Sequence, residues 1–395
     1  MSLTPFRIRV DPARLALLDE RLEITLWPNV PAGLDGHGIA VDRVRELVTY
    51  WRETFRWSGF AGSLDQFEHL IHDDGDFPLH LVRARAEQPT GLPIVLLHGW
   101  PDAFLRYRKL IPLLAKAGHD VVVPSLPGFA FSGQPTEPLT AATAAERVHS
   151  ALAELGLTRY VLHGGDFGGI IADELAGSHP DEVAGLHLTD IPFPKQFTVD
   201  RGSLDAEERT FYEASDAWME KAAYFTVQTV EPLTLAYGLT DSPVGLLAWI
   251  ADKFDALSDE VDPEDVVGLT ALTWLTGTAW SGLRLYADDH TEWDDSNLDD
   301  SDWDPEDAAG NWAQATTDAA AENDQHAGPA ADGEKPRAAF SIFPRDIGVP
   351  PESLASRFYD VVQWNTHERG GHFAATERPG AVAHDLLQAA SAFGP

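Results

Sequence analysis

The sequence predicts an α/β fold: a mainly parallel central sheet with helices on both faces, a helical cap set into it, and an N-terminal meander. Three observations carry this prediction. From about residue 77 short apolar runs alternate with helical stretches, between about 195 and 337 strand signals give way to Trp-rich helical sequence, and the first 76 residues hold two amphipathic stripes. Continuous apolar strands separated by helices point to parallel strands covered on both faces.

Within 1–76, Asp11 and Pro12 read as a helix cap and a first-turn proline, followed at helical spacing by Leu15, Leu18 and Leu22. A second helix carries Val44, Leu47, Val48 and Trp51 on one stripe. Neither helix can bury its apolar face alone, so both should pack on the later core. The first part of the core, 77–194, offers strands at 77–82, 93–98, 120–124, 160–163 and 184–189. A helix marked by Val148, Leu152 and Leu155 stops at Gly156. The cap occupies 195–337. Its stretch 287–307 holds eleven Asp or Glu and no Lys or Arg, and the expectation is a solvated acidic loop continuing to about 334. The Asp spacing there fits no EF-hand loop, so no metal site is expected. The second part of the core, 338–395, supplies strands at 339–343 and 360–364.

Composition narrows the function. With 395 residues and 44% hydrophobic content the chain can bury one large core. A net charge of -35, from 63 acidic against 28 basic residues, excludes nucleic acid and anionic membrane as natural partners. Six lysines in so acidic a chain suggest a salt-adapted surface that stays hydrated where ions screen its self-repulsion. No apolar run is long enough for a signal peptide or a membrane anchor, and the expected location is cytoplasmic. Zero cysteines remove disulfides, thiolate nucleophiles and zinc-thiolate sites, so covalent chemistry falls to oxygen or imidazole groups.

Gly164-Gly165-Asp166-Phe167-Gly168-Gly169 follows a strand and precedes a helix. Small residues on both sides suit a sharp turn that holds the central side chain exposed, the arrangement of the G-x-S-x-G nucleophile elbow with aspartate in place of serine. A carboxylate at that position can attack carbon and form an ester. Taken alone, the same Asp166 reads equally well as a helix cap. His98-Gly99-Trp100-Pro101 follows the strand at 93–98, where backbone N–H groups of Trp100 and Phe167 would form an oxyanion hole; the His98 imidazole itself reads as structural. Gly370-Gly371-His372-Phe373 follows the last strand, and the order Asp166, acid, His372 is that of nucleophile, acid and base in α/β-hydrolases. Asp346, after the penultimate strand, is the favoured acid, and Asp190 is the alternative.

These motifs resemble the epoxide hydrolases of the microsomal type over nearly the whole chain. The likeness includes FRIRV near the start, YWRETFRW at 50–57, His98-Gly99-Trp100-Pro101, the Asp166 elbow, DSPVGLLAWI at 241–250, WLTGT at 274–278 and the His372 loop. The resemblance implies an α/β-hydrolase fold and two cap tyrosines, Tyr224 and Tyr286, that polarise the epoxide oxygen. Without it, both tyrosines read as packing residues. The elbow residue Phe167 stands where Trp or Ile is common in the family, and the acidic stretch after Tyr286 is longer than usual.

The implied reaction turns an apolar epoxide and water into a vicinal diol through an aspartyl ester, with no metal or organic cofactor. Aromatic residues Trp100, Phe167 and Trp274 suggest an apolar pocket. A haloalkane dehalogenase with the same nucleophile and a catalytically silent binding protein are the competing readings, and a homodimer stays open.

Overall fold

The computed structural model describes residues 2–31, 36–73, 75–290 and 335–394. Most of the acidic stretch, 291–334, lies outside the described residues. One nine-stranded sheet is formed by β1 (Ser2–Pro5), β2 (Glu68–Asp73), β3 (Leu79–Ala84), β4 (Ile94–Leu97), β5 (Val121–Pro124), β6 (Tyr160–Gly164), β7 (Val183–Leu188), β8 (Arg337–Ile342) and β9 (Asp360–Thr366). Their spatial order is β1-β2-β3-β5-β4-β6-β7-β8-β9. The first three strands and the β3–β5 pair run antiparallel, and every pair from β5 to β9 is parallel. The mainly parallel sheet expected from the apolar runs is therefore present, with seven strands where the runs placed them to within a few residues.

The N-terminal region differs from the sequence reading in two respects. It contributes strands β1 and β2, which extend the sheet, and it contains three helices, α1 (Pro12–Glu23), α2 (Val41–Glu53) and α3 (Trp57–Leu64), where two were expected. The Asp11 side chain accepts from the Ala13 N–H at 2.9 Å and Pro12 opens α1, as the cap reading required.

The core helices before the cap are α4 (Ile111–Lys116), α5 (Ala141–Glu154) and α6 (Phe167–Ser178). Between β7 and β8 come only helices among the described residues: α7 (Phe193–Phe197), α8 (Ala206–Met219), α9 (Ala223–Val230), α10 (Pro232–Asp241), α11 (Pro243–Leu257), α12 (Pro263–Thr276) and α13 (Ala279–His290). Three more close the chain: α14 (Glu352–Phe358), α15 (Ala374–Glu377) and α16 (Pro379–Phe393). No described helix is long and apolar enough to cross a membrane.

The apolar stripes of α1 and α2 pack chiefly on α11 and α12, so these two helices of the meander brace the cap while its strands extend the sheet. Leu18, Leu22, Leu47, Val48 and Trp51 are buried there, at about 1.5–3 kcal/mol for each fully buried large aliphatic side chain. Arg43 adds a paired contact to Asp255 at 2.9 and 3.0 Å. The acidic stretch also begins differently from expectation. Residues 287–290 are still helix, and Asp288 and Asp289 accept from the N–H groups of Leu139 and Ala141, both at 2.8 Å. Carboxylates at the start of α5 satisfy orphan donors and favour the helix dipole, which accounts for two of the acidic side chains.

Topology fixes where a site can form. The chain lays β4 down, crosses to β5 on one side of it, then returns to β6 on the other. The connections leaving β4 and β6 diverge, and a crevice opens beyond the carboxyl ends of these strands.

Candidate active site

Asp166 sits in that crevice between β6 and α6, with φ 57° and ψ -141°. Positive φ on a non-glycine residue is strained and persists only where the surroundings over-determine it. The neighbours show how. A Cβ on Gly168 would collide with the Leu97 carbonyl of β4, and one on Gly99 would strike the Asp166 carboxylate itself. Both positions must be glycine for the elbow to press against β4 and its loop.

The carboxylate is held asymmetrically. Its Oδ1 accepts from the Trp100 N–H at 2.8 Å, and the Phe167 N–H also donates to the carboxylate. Its Oδ2 faces His372 Nε2 at 3.6 Å. Burial raises the Asp166 carboxyl above its ordinary range, opposed by the His372 charge and by these two backbone donors.

His372 is 3% exposed, on the loop between β9 and α15. Its Nδ1 lies 2.7 Å from Asp346 Oδ1. Burial alone would lower the imidazolium; the charge and hydrogen bond of Asp346, followed by the charge of Asp166, outweigh it and hold it at about 9. Asp190 accepts the Asp166 N–H at 2.8 Å and makes no hydrogen bond to the imidazole. Burial first and the charge of Asp346 second push its carboxyl up to about 7. Thus both acids weighed from the sequence lie beside the pair. Asp346 contacts the ring, whereas Asp190 braces the elbow.

Across the cleft, Tyr224 of α9 and Tyr286 of α13 meet edge to face, with ring centroids 6.2 Å apart, and each phenol influences the other's proton. Burial, the largest influence on each, keeps both phenols protonated far above neutral pH. Trp100 stacks on Tyr224 at 5.5 Å and Phe167 meets Tyr286 edge-on at 4.9 Å, so the two loops that hold the carboxylate also set the tyrosine rings. Asp166, His372, Asp346, Tyr224 and Tyr286 all line one cleft of roughly 1000 Å³ including its open mouth.

The apolar wall of that cleft comes mainly from residues the sequence reading did not single out: Phe193, Phe211, Trp218, Met219, Phe225 and Ile347. Of the three aromatics expected there, only Phe167 lines it. Trp100 packs behind Tyr224, and Trp274 is buried beneath the Arg14 guanidinium at 4.2 Å. His98 is structural: its buried ring accepts from the Leu126 N–H at 3.0 Å, and burial pulls its pKa down to about 4, leaving it neutral.

A buried ion pair was also missed. Arg106 holds Asp102 at 2.9 Å and donates to the His372 carbonyl at 2.5 Å, tying the loop after β4 to the histidine loop. The pair itself lies four residues apart, but nothing in the local pattern reveals its tie to the site, because the His372 carbonyl lies 266 residues away. Asp190, Asp346 and His372 carry metal-ligand atom types within 4.8 Å of one another. The ring Nδ1 and the Asp190 oxygen are already engaged as described, and the arrangement serves proton and ester chemistry without them being freed.

An aspartate on a strained elbow, backed by an imidazole–carboxylate pair and two backbone N–H groups, defines the class: a hydrolase of the α/β fold that uses a carboxylate nucleophile. Comparison with known proteins agrees. Residues 93–237 match the model of the α/β-hydrolase fold, and residues 3–107 match the model of the epoxide hydrolase N terminus. A protein of Stigmatella aurantiaca (strain DW4/3-1) named "Putative epoxide hydrolase" is 32% identical, over 98% of this chain and 84% of its own. Epoxide hydrolase 1 of Sus scrofa is 26% identical, over 98% of this chain and 88% of its own. The fold is shared with Aspergillus niger epoxide hydrolase at a TM-score of 0.80 and 24% identity, over 100% of this chain and 97% of that one. The chain belongs to the epoxide hydrolase family.

Proposed function

We propose that this protein hydrolyses apolar epoxides to vicinal diols through an ester on Asp166. The observation that carries the reading is that one carboxylate oxygen, Oδ2, faces an imidazole at 3.6 Å in a cleft that two phenols also line.

In the first half-reaction Asp166 Oδ2 attacks an epoxide carbon and the ring C–O bond breaks. Tyr224 and Tyr286 donate to the opening oxygen, which takes its proton from this phenol pair and becomes a hydroxyl. Oδ1, held by the Trp100 N–H with the Phe167 N–H also on the carboxylate, becomes the ester carbonyl. Esterification removes the Asp166 charge, one of the influences that keep the imidazole protonated, so His372 becomes the better base once the ester exists. In the second half-reaction His372, oriented by Asp346, takes a proton from water, which attacks the ester carbon. The oxyanion forms on Oδ1, already in its hole; as it collapses the bond from the carboxyl carbon to Oδ2 breaks, the imidazolium gives its proton to the departing oxygen, and the acid left on Asp166 returns its proton to the phenol pair, so that the diol leaves and the carboxylate reforms.

The apolar wall supports an aryl or alkyl epoxide over a charged one. The test is diol formation from styrene oxide by the wild type and by Asp166→Ala. Turnover lost in the variant is expected; equal rates in both would leave only a binding role. Measuring halide release from chloroalkanes separates the dehalogenase reading, and none is expected.

A further inference from the structure

Gln228 is fully buried on α9, four residues beyond Tyr224. That spacing puts the two side chains on one helix face, and α13, which carries Tyr286, packs against this helix. The Trp249 indole on α11 donates to Gln228 Oε1 at 2.9 Å. An indole N–H can only donate, so this bond decides which end of the amide is oxygen and leaves Nε2 at the other end. Nε2 reaches no acceptor within hydrogen-bond length among the described residues. The Gln228 side chain pulls the Tyr286 phenol down, the direction that a donor aimed at the phenol oxygen produces. A buried N–H with no closed partner is costly, and in a resting active site such contacts often tighten only when substrate binds.

We propose that Gln228 is a positioning residue for epoxide opening: fixed by Trp249, its unpartnered amide N–H closes on the Tyr286 oxygen as the epoxide opens, so that the phenol proton is directed to Tyr224 and the epoxide oxygen. The inference rests on the ester mechanism above. A phenol oxygen that accepts from an amide must turn its own proton elsewhere, and the other hydrogen-bonding side is the Tyr224 hydroxyl and the cleft. The donor also withdraws charge from the phenol oxygen, which makes it a better acid toward the developing alkoxide and counters the effect of its burial.

The experiment follows the two half-reactions separately, by rapid quench and mass spectrometry of the protein with styrene oxide. Gln228→Leu should slow ester formation roughly three- to tenfold, the range of one neutral hydrogen bond. Gln228→Glu, which offers only an acceptor and draws the phenol proton toward itself, should slow it on the order of a hundredfold, the range of one lost oxyanion donor. Breakdown of the ester, the task of His372, should stay within about twofold in both. Trp249→Phe keeps the ring and removes only the N–H, so it should show a smaller loss in the same step. In a Tyr286→Phe background, Gln228→Leu should cost nothing further. A Gln228→Leu penalty that persists in that background, or that falls equally on both half-reactions, would overturn the positioning role. Absence of any ester in the wild type would instead sink the mechanism beneath it.

Discussion

Replacing Asp346 with asparagine removes the largest influence that holds His372 protonated. The shift of the imidazole from 6.5 to about 9 corresponds to roughly 3 kcal/mol in favour of its charged form. Without the carboxylate, burial dominates and the ring falls below its ordinary range; it also loses the 2.7 Å contact that fixes its tautomer. Ester formation does not need a base, so it should survive. Ester hydrolysis should fall by about 10³–10⁴, the scale of the corresponding change in serine hydrolases. The assay is intact-protein mass spectrometry during turnover of styrene oxide: Asp346→Asn should accumulate an adduct of epoxide mass. Asp190→Asn keeps an oxygen to accept the Asp166 N–H and should turn over within about tenfold of the wild type, without accumulation. The reasoning is refuted if Asp190→Asn traps the ester while Asp346→Asn hydrolyses it normally.

Other outcomes follow from the same contacts. Tyr224→Phe and Tyr286→Phe should each slow ester formation by about 10²–10³ and leave hydrolysis of a preformed ester nearly unchanged, as single-turnover traces would show. Arg106→Met leaves Asp102 buried and uncompensated and should cost about 3–5 kcal/mol in urea unfolding, with a fall in ester hydrolysis because the His372 carbonyl loses its donor. Asp190 is raised to about 7 from an ordinary value of 3.8, so the folded protein keeps a proton that the unfolded chain releases. Its contribution is therefore present below about pH 4 and lost as pH rises toward 7, and Asp190→Asn should flatten that slope in unfolding measured from pH 4 to 8. The excess of 63 acidic over 28 basic residues predicts a melting temperature that rises with KCl between low and molar concentrations; a maximum in dilute buffer would remove the salt-adaptation reading.

What the sequence made legible was whatever a local pattern encodes. The strands at 94–97 and 121–124 are unbroken apolar runs, 160–164 opens on Tyr, Val and Leu, all three are fully buried in the sheet, and Asp166 stands out because glycines crowd it. Strand β2 escaped because its inward positions include His69 and His72, which read as surface residues. Only the folded chain shows their rings bonded to His80 and the Leu64 carbonyl, and to Ser150. The same reason hid Arg106, Gln228 and the bracing role of Asp190, each of which acts through a partner brought close by tertiary packing. Tyr224 and Tyr286 were singled out through family resemblance alone, since an aromatic on a cap helix is ordinarily packing. Two of the three aromatics expected in the wall of the cleft lie elsewhere because pocket lining depends on which helix face turns inward, and α7, α8 and α9 supply most of it here.

A single turnover in oxygen-18 water tests the covalent mechanism most directly. With enzyme in excess over styrene oxide, water attacks the ester carbon, so the label should enter the Asp166 carboxylate, recoverable in the peptide that contains it, and the diol should carry only ordinary oxygen. Diol labelled in that first turnover, with an unlabelled Asp166 peptide, would show that water attacks the epoxide itself and would contradict the ester.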